Sequence, residues 1–290
     1  MKRWLGLLLA VALLPALTGC STSGRTDDGR PIVAAAFYPL AWLAERIGGN
    51  DVQVRSLTSP GVEPHDLELS VRQLLDISNA SLVLFERGFQ PSIDDGIDQN
   101  AEGRVVDAGA VVHLEELDGR PDPHFWQDPA RMATLAERVG RELARIDPAH
   151  RQDYRARTEE VVGELRDLDR AYADGLASCR RTTLVVSHDA FGYLAKYGLD
   201  IHGIVGLSPD AEPTPGAISE LKDLIRSEGI TTVYGESLAS PRIAETLARE
   251  AGVGVGVLDP IEGLSDATQG QTYLTLMRAN LATIQKGSDC

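Results

Sequence analysis

The stretch from Pro148 to Ser178 constrains this chain most, because it carries one helical pattern from end to end. Tyr154, Val161, Val162, Leu165, Leu168, Tyr172 and Leu176 share a single stripe, with charged residues on the other faces. At 1.5 Å per residue such a helix is roughly 45 Å long, the span of a whole domain. The stripe is too short for sustained heptads, which argues against a coiled coil. Sequence on both sides of it alternates between strand-like and helix-like segments. The stretch therefore reads as a rigid spine between two lobes rather than as part of either core.

Before the spine, Ile32 to Phe37 reads as a strand and Leu40 to Ile47 as a helix closed by Gly48-Gly49. Val52 to Leu57 is a second strand, Ser70 caps a helix over Val71 to Ile77, and Leu82 to Phe85 and Val105-Val106 are short buried strands. Asp128 is a good N-cap with Pro129 at the first helical position, and Met132, Leu135, Ala136, Val139 and Leu143 recur at helical spacing behind it. After the spine the alternation restarts. Thr182 to Ser187, Ile201 to Leu207, Ile230 to Tyr234 and Val253 to Leu258 read as strands. Ala190 to Tyr197, Thr214 to Ser227, Ser240 to Ala251 and Thr272 to Gln285 read as helices. Such alternation predicts mostly parallel sheets covered by helices. The fold expected is α/β with two lobes, residues 31–147 and 181–290, joined by a linking helix over 148–180.

Three histidines sit in similar settings. His65 lies in a loop stiffened by two prolines and a glycine, Ser59-Pro60-Gly61-Val62-Glu63-Pro64-His65. His124 stands in Asp122-Pro123-His124-Phe125-Trp126-Gln127-Asp128-Pro129, and His188 follows the strand Leu184-Val185-Val186. Asp259 likewise follows Val255-Gly256-Val257-Leu258, and the carboxyl ends of parallel strands are where open α/β sheets hold ligands. His65, His124, His188 and Asp259 thus draw two residues from each lobe. Three imidazoles and a carboxylate suit zinc, copper, nickel or iron, and four such ligands close a tetrahedral zinc site. His150 and His202 read as structural, His113 as intermediate. Glu63 and Glu236 are candidates for a supporting role around the ligands, although each also fits an ordinary solvated acid.

With 43 acidic against 28 basic side chains, a net charge of -15 and no basic cluster, the chain is ill suited to nucleic acid and better suited to a cation. Lys2 and Arg3 precede an apolar run from Trp4 to Leu17 that is too short for a comfortable membrane span and ends in Leu17-Thr18-Gly19-Cys20. This reads as a lipoprotein signal peptide over 1–20 with Cys20 as the lipidated residue, followed by a flexible tether over 21–30. The protein is then exported and held by its lipid at the cell membrane, on the periplasmic or extracellular side. In that oxidising setting Cys179 and Cys290 can pair or stand as two thiols. The expectation is a bond that pins the last helix to the C-terminal lobe.

Glu63-Pro64-His65-Asp66, the segment Asp122 to Pro129, Ser187-His188-Asp189-Ala190-Phe191-Gly192-Tyr193 and Val257-Leu258-Asp259-Pro260 resemble the signature segments of the zinc/manganese substrate-binding proteins of ABC transporters. Tyr273 to Leu281 is similar to that family's C-terminal helix. The resemblance runs in order through the mature chain. It implies two α/β lobes around one metal, with His65, His124, His188 and Asp259 as its ligands and a membrane permease as partner. The protein is then a binder of Zn(II), with Mn(II) as the alternative cargo, and not an enzyme. The chain departs from many zinc-specific members in lacking a histidine-rich loop before His124. A histidine at position 188, where manganese binders often carry glutamate, favours zinc. Rival readings are a zinc-dependent hydrolase, for which neither His-Glu-x-x-His nor a nucleophile elbow is present, and an adhesive surface lipoprotein.

Overall fold

The computed structural model describes residues 24–117 and 119–290. The signal segment with Cys20 lies outside the described residues. From Gly24 onward the chain is already folded, which corrects the reading of 21–30 as a tether throughout. Thr26 N donates to the Arg30 carbonyl at 2.9 Å and Ile32 N to the Gly24 carbonyl at 2.8 Å, while Arg25 reaches the Ile146 carbonyl at 2.8 Å. The Ser81 hydroxyl also donates to the Gly24 carbonyl. A polar segment with no periodicity is thus held by local turns and side-chain bonds to the first lobe.

The first lobe runs β1 (Ile32–Ala35), α1 (Tyr38–Gly48), β2 (Gln53–Ser56), α2 (Val71–Ser78), β3 (Leu82–Phe85), α3 (Pro91–Asn100), β4 (Arg104–Asp107) and α4 (Ala108–Val112). A small antiparallel hairpin of β5 (Glu116–Leu117) and β6 (Arg120–Pro121) follows, then α5 (Pro129–Ile146). Asp128 caps α5, its carboxylate accepting from Ala130 N at 2.9 Å. The long helix is α6 (Arg151–Leu176), and beyond it come β7 (Thr183–His188), β8 (Asp200–Val205), α7 (Pro215–Ser227), β9 (Thr232–Gly235), α8 (Arg242–Ala251), β10 (Gly254–Val257) and α9 (Tyr273–Ser288).

Both main sheets are parallel. Their orders are β2-β1-β3-β4 and β10-β9-β7-β8, so the second lobe repeats the winding of the first, with β7 in the place of β1 and β9 in that of β3. In each sheet the winding changes direction between the first and third strands, and that switch point is where ligands bind in folds of this kind. The interior strands β1 and β3 are buried throughout, as continuous runs of Ile, Val, Leu and Ala require when helices cover both faces.

Helix α6 buries Tyr154, Val161, Val162, Leu165, Leu168, Tyr172 and Leu176. It packs on α1 and α5 of the first lobe and on α9 of the second, and its stripe belongs to a hydrophobic core shared by both lobes. The expectation that it stands outside either core is corrected: both ends of the stripe must be covered, and the lobes cover them. A second, smaller core around Val185, Ile204, Leu221, Ile225, Val233 and Leu247 lies within the second lobe. Between β7 and β8 the segment read as an α-helix is a 3-10 helix over Gly192–Tyr197. The sulfurs of Cys179 and Cys290 are bonded, joining the end of α6 to the end of α9.

Candidate metal centre

His65 is placed by backbone clamps. Gln90, itself buried, donates to the Pro64 carbonyl at 3.0 Å and to Thr58 Oγ1 at 3.1 Å, and Thr58 donates to the Ala36 carbonyl at 2.7 Å. Glu63 accepts from His65 N at 3.0 Å, so its carboxylate shapes the loop, and its side chain also meets that of Glu262. It also belongs to a separate group of acids with the exposed Asp66 and Asp210. The His65 ring packs against Phe89 with centroids 4.6 Å apart.

His124 follows the β5-β6 hairpin and is fully buried. Asp122 Oδ1 accepts both from its backbone N at 3.0 Å and from Nδ1 at 2.7 Å, which fixes the ring and turns Nε2 inward. In the second lobe His188 is the last residue of β7, and its Nδ1 donates to Glu236, the residue after β9, at 3.0 Å. Both buried imidazoles are therefore oriented by a carboxylate on the nitrogen remote from the centre.

The fourth member of the cluster is Glu262. Its Oε1 lies 3.5 Å from His65 Nε2, 3.3 Å from His124 Nε2 and 3.2 Å from His188 Nε2. The four ligand atoms all fall within 4.8 Å of one another. Ligands held ~2.0–2.1 Å from a tetrahedral zinc are separated by about 3.3–3.4 Å, the edge of that tetrahedron. The three distances to Oε1 match this spacing, and the buried Nε2 atoms of His65 and His124 lack a well-formed hydrogen bond within the protein.

Asp259 is not in the cluster, which corrects its expected role as ligand. Its Oδ1 accepts from Ile261 N at 2.8 Å and its Oδ2 from the Ser237 hydroxyl at 2.8 Å. An aspartate that bonds the backbone two residues on builds a turn. Here the turn puts Ile261 at φ 62°, a left-handed conformation that a β-branched residue rarely adopts, and delivers Glu262 one residue later. Asn280 accepts from Asp259 N at 3.0 Å and donates to the Asp259 carbonyl at 2.6 Å. Trp126 Nε1 and Gln127 Nε2, from the first lobe, both donate to the Pro260 carbonyl, at 2.7 and 2.6 Å. Sequence reasoning stopped at the acid on the strand end. The signal it passed over was a second acid three residues on.

The electrostatics of the centre are those of imidazoles facing carboxylates. Burial alone would lower His188, but hydrogen bonds to Glu236 and Glu262 outweigh it and push its pKa up to about 10. His124 is also raised, burial being outweighed by Asp122 and Glu262. Burial would raise Glu262, yet His124, His188 and His65 hold its carboxyl well below the usual range. Burial and the charge of Glu262 push Glu63 up to about 8. The remaining histidines stand elsewhere. His150 pairs with Asp147 at 2.6 Å, His202 contacts Asp200 at 3.0 Å, and His113 ends α4 in a left-handed conformation.

Residues 33–287 match the family described as zinc-uptake complex component A, periplasmic, or ZnuA. The whole chain aligns at 31% identity with the zinc-binding lipoprotein AdcA of Streptococcus pneumoniae and spans 62% of that protein's length. It is 29% identical to the high-affinity zinc uptake system protein ZnuA of Bacillus subtilis, over 98% of this chain and 97% of that one. In structure it resembles the Zn(II)-bound ZnuA-like domain of Streptococcus pneumoniae AdcA, with a TM-score of 0.79, 30% identity, and coverage of 90% of this chain and all of that one.

Proposed function

Since the chain belongs to the ZnuA family of periplasmic zinc-uptake components, we propose that it captures Zn(II) with His65, His124, His188 and Glu262 and delivers it to the permease of an ABC importer. A lipid on Cys20 holds it at the membrane meanwhile. It is a binding component and not an enzyme.

One observation carries the choice of ligands: three Nε2 atoms converge on a single carboxylate oxygen at tetrahedral spacing. Three imidazoles with one carboxylate suit zinc better than manganese, which favours six oxygen-rich ligands. Glu262, with Asp122 and Glu236 behind the imidazoles, supplies the negative charge that a buried divalent cation needs. Four protein ligands also fill the tetrahedron, whereas a hydrolytic zinc keeps a position open for water.

Elemental analysis of protein purified without added metal, followed by competitive zinc and manganese titration, is the test. One zinc per chain is expected, displaced by manganese only at large excess. Zinc at a thousandfold above its dissociation constant should stabilise the fold by about 4 kcal/mol. His124→Ala and His188→Ala should lose most of that gain, and His150→Ala and His202→Ala should keep it. Equal stabilisation of all four variants would refute the ligand set.

A further inference from the structure

Two side chains of the first lobe hold the turn that carries Glu262. Trp126 and Gln127 stand two and three residues after His124, and their Nε1 and Nε2 atoms donate at 2.7 and 2.6 Å to the carbonyl of Pro260, two residues before Glu262. That oxygen thus accepts two bonds from the other lobe, as many as its lone pairs allow. Trp126 is fastened a second time, its own carbonyl accepting from the Tyr273 hydroxyl at the start of α9. Asn280, further along α9, holds Asp259 at both its N–H and its carbonyl. The His124 turn and the Glu262 turn therefore form one braced unit across the lobes, made entirely of protein atoms.

Gln127 is fully buried, and no protein donor among the described residues reaches its Oε1. A buried amide with one end unpaired costs stability that an apolar side chain of similar size would not. Its side chain is engaged through Nε2 alone, and that bond ends beside the metal cluster. There His124 Nε2 and Glu262 Oε1 stand 3.3 Å apart, the tetrahedral edge for ligands ~2.0–2.1 Å from zinc. Manganese favours six ligands in an octahedron. Any four corners of an octahedron include one opposite pair, which at bonds of about 2.1 Å lies about 4.2 Å apart. The brace denies that widening to His124 and Glu262, the fully buried pair that joins the lobes.

We propose that Gln127, together with Trp126, sets the metal selectivity of the centre: by holding the Glu262 turn against the His124 turn it keeps the site four-coordinate and so favours zinc over a six-coordinate cation. Gln127 touches no metal. It is a positioning residue that acts through Pro260 on Glu262, as outer groups around metal ligands do. The assignment rests on the capture reading above and on its four ligands.

The experiment titrates mature protein, stripped of metal, with Zn(II), Mn(II) and Co(II). Three forms are compared: the wild type, Gln127→Met, which keeps the side-chain length without the N–H, and Trp126→Phe, which removes the indole N–H. Co(II) reports geometry, because a four-coordinate ion lacks a centre of symmetry and absorbs intensely in the visible, whereas a six-coordinate one absorbs weakly. In each variant zinc should weaken by at least about tenfold while manganese binds as before or more tightly, and the strong Co(II) bands of the wild type should fade. The proposal is overturned if folded Gln127→Met keeps the wild-type Co(II) bands. It is equally overturned if zinc and manganese weaken by one common factor, as a merely structural role would have them do. If Gln127→Met does not fold, Trp126→Phe decides by the same two readouts. Wild-type protein without the bands of a four-coordinate Co(II) fails the capture reading and this inference together, whereas a four-coordinate wild type with unaltered variants fails this inference alone.

Discussion

Asp259 and Glu262 share one turn but do different work. The left-handed Ile261 between them costs on the order of 1–3 kcal/mol and persists only because its surroundings hold it. Asp259 supplies that hold through Ile261 N and Ser237. Asp259→Asn keeps an acceptor for Ile261 N and offers an N–H to Ser237, so zinc affinity should stay near the wild-type value. Asp259→Ala removes the brace and should weaken zinc by about 10- to 100-fold. Titration of both variants decides, since an asparagine variant as weak as the alanine one would mean that the carboxylate itself touches the metal. A second consequence concerns pH. His188 is raised to about 10 in the metal-free fold, so its contribution to metal-free stability is full below about pH 6.5 and lost as pH rises through 10. Zinc requires the neutral ring. Loading near pH 8 should therefore release a proton, and affinity should climb about tenfold per pH unit for each proton displaced, up to about pH 10. Calorimetry in two buffers of different ionisation enthalpy counts that proton. Affinity that is flat above pH 7 would show the imidazoles already neutral.

The elements differ in how far the sequence disclosed them, and the difference follows from what holds each one. The buried stripe of α6 was readable residue by residue, because a long helix covered from both ends repeats the same demand at every turn. The cap of α5 at Asp128 and the runs in β1 and β3 were readable for the same local reason. The segment over Gly192–Tyr197 has a helical pattern but only eleven residues between β7 and β8 in which to return alongside. A parallel crossover needs a dozen or more for a full helix, so the tighter form wins. Glu262 was hidden because its position depends on a left-handed isoleucine that no propensity favours. The last helix, α9, starts on a capping box at Thr272 and ends beside the Cys179–Cys290 bond. Closing a loop with 111 residues of separation stabilises by up to about 4–5 kcal/mol in the chain-entropy model. Denaturant unfolding with and without reductant should show a loss of that order. No reactive thiol should appear in the unreduced, unfolded mature chain apart from a Cys20 left without lipid. Two thiols that react in place of Cys179 and Cys290 would overturn the pairing.

Across the whole molecule, the two lobes are tied at more places than the spine alone. Tyr193 OH donates to the Asp122 carbonyl at 2.8 Å and Lys196 contacts Asp128 at 2.7 Å, while the spine itself is fastened to α9 where Tyr172 OH donates to the Met277 carbonyl at 2.7 Å. Trp126 and Gln127 hold Pro260 beside the metal cluster itself. Opening the lobes as a wide hinge would break the buried cross-lobe bonds of Tyr193, Trp126 and Gln127 together, at about 1–3 kcal/mol for each polar group left unsatisfied. It would also expose the core that α6 shares with both lobes. Metal loss is cheaper to absorb in the loops that carry the ligands. His65 is the most exposed of the four ligands, with a side chain 10% open against 1% or less for the rest. Small-angle scattering of zinc-loaded and metal-free protein should therefore nearly superimpose, with backbone shifts of about 1 Å or less outside the loops around His65, His124 and Glu262. Hydrogen exchange should show the largest gain in opening at residues 59–66. A clear expansion of the scattering profile on removing zinc would mean that the shared core parts, and that the spine does not set the distance between the lobes.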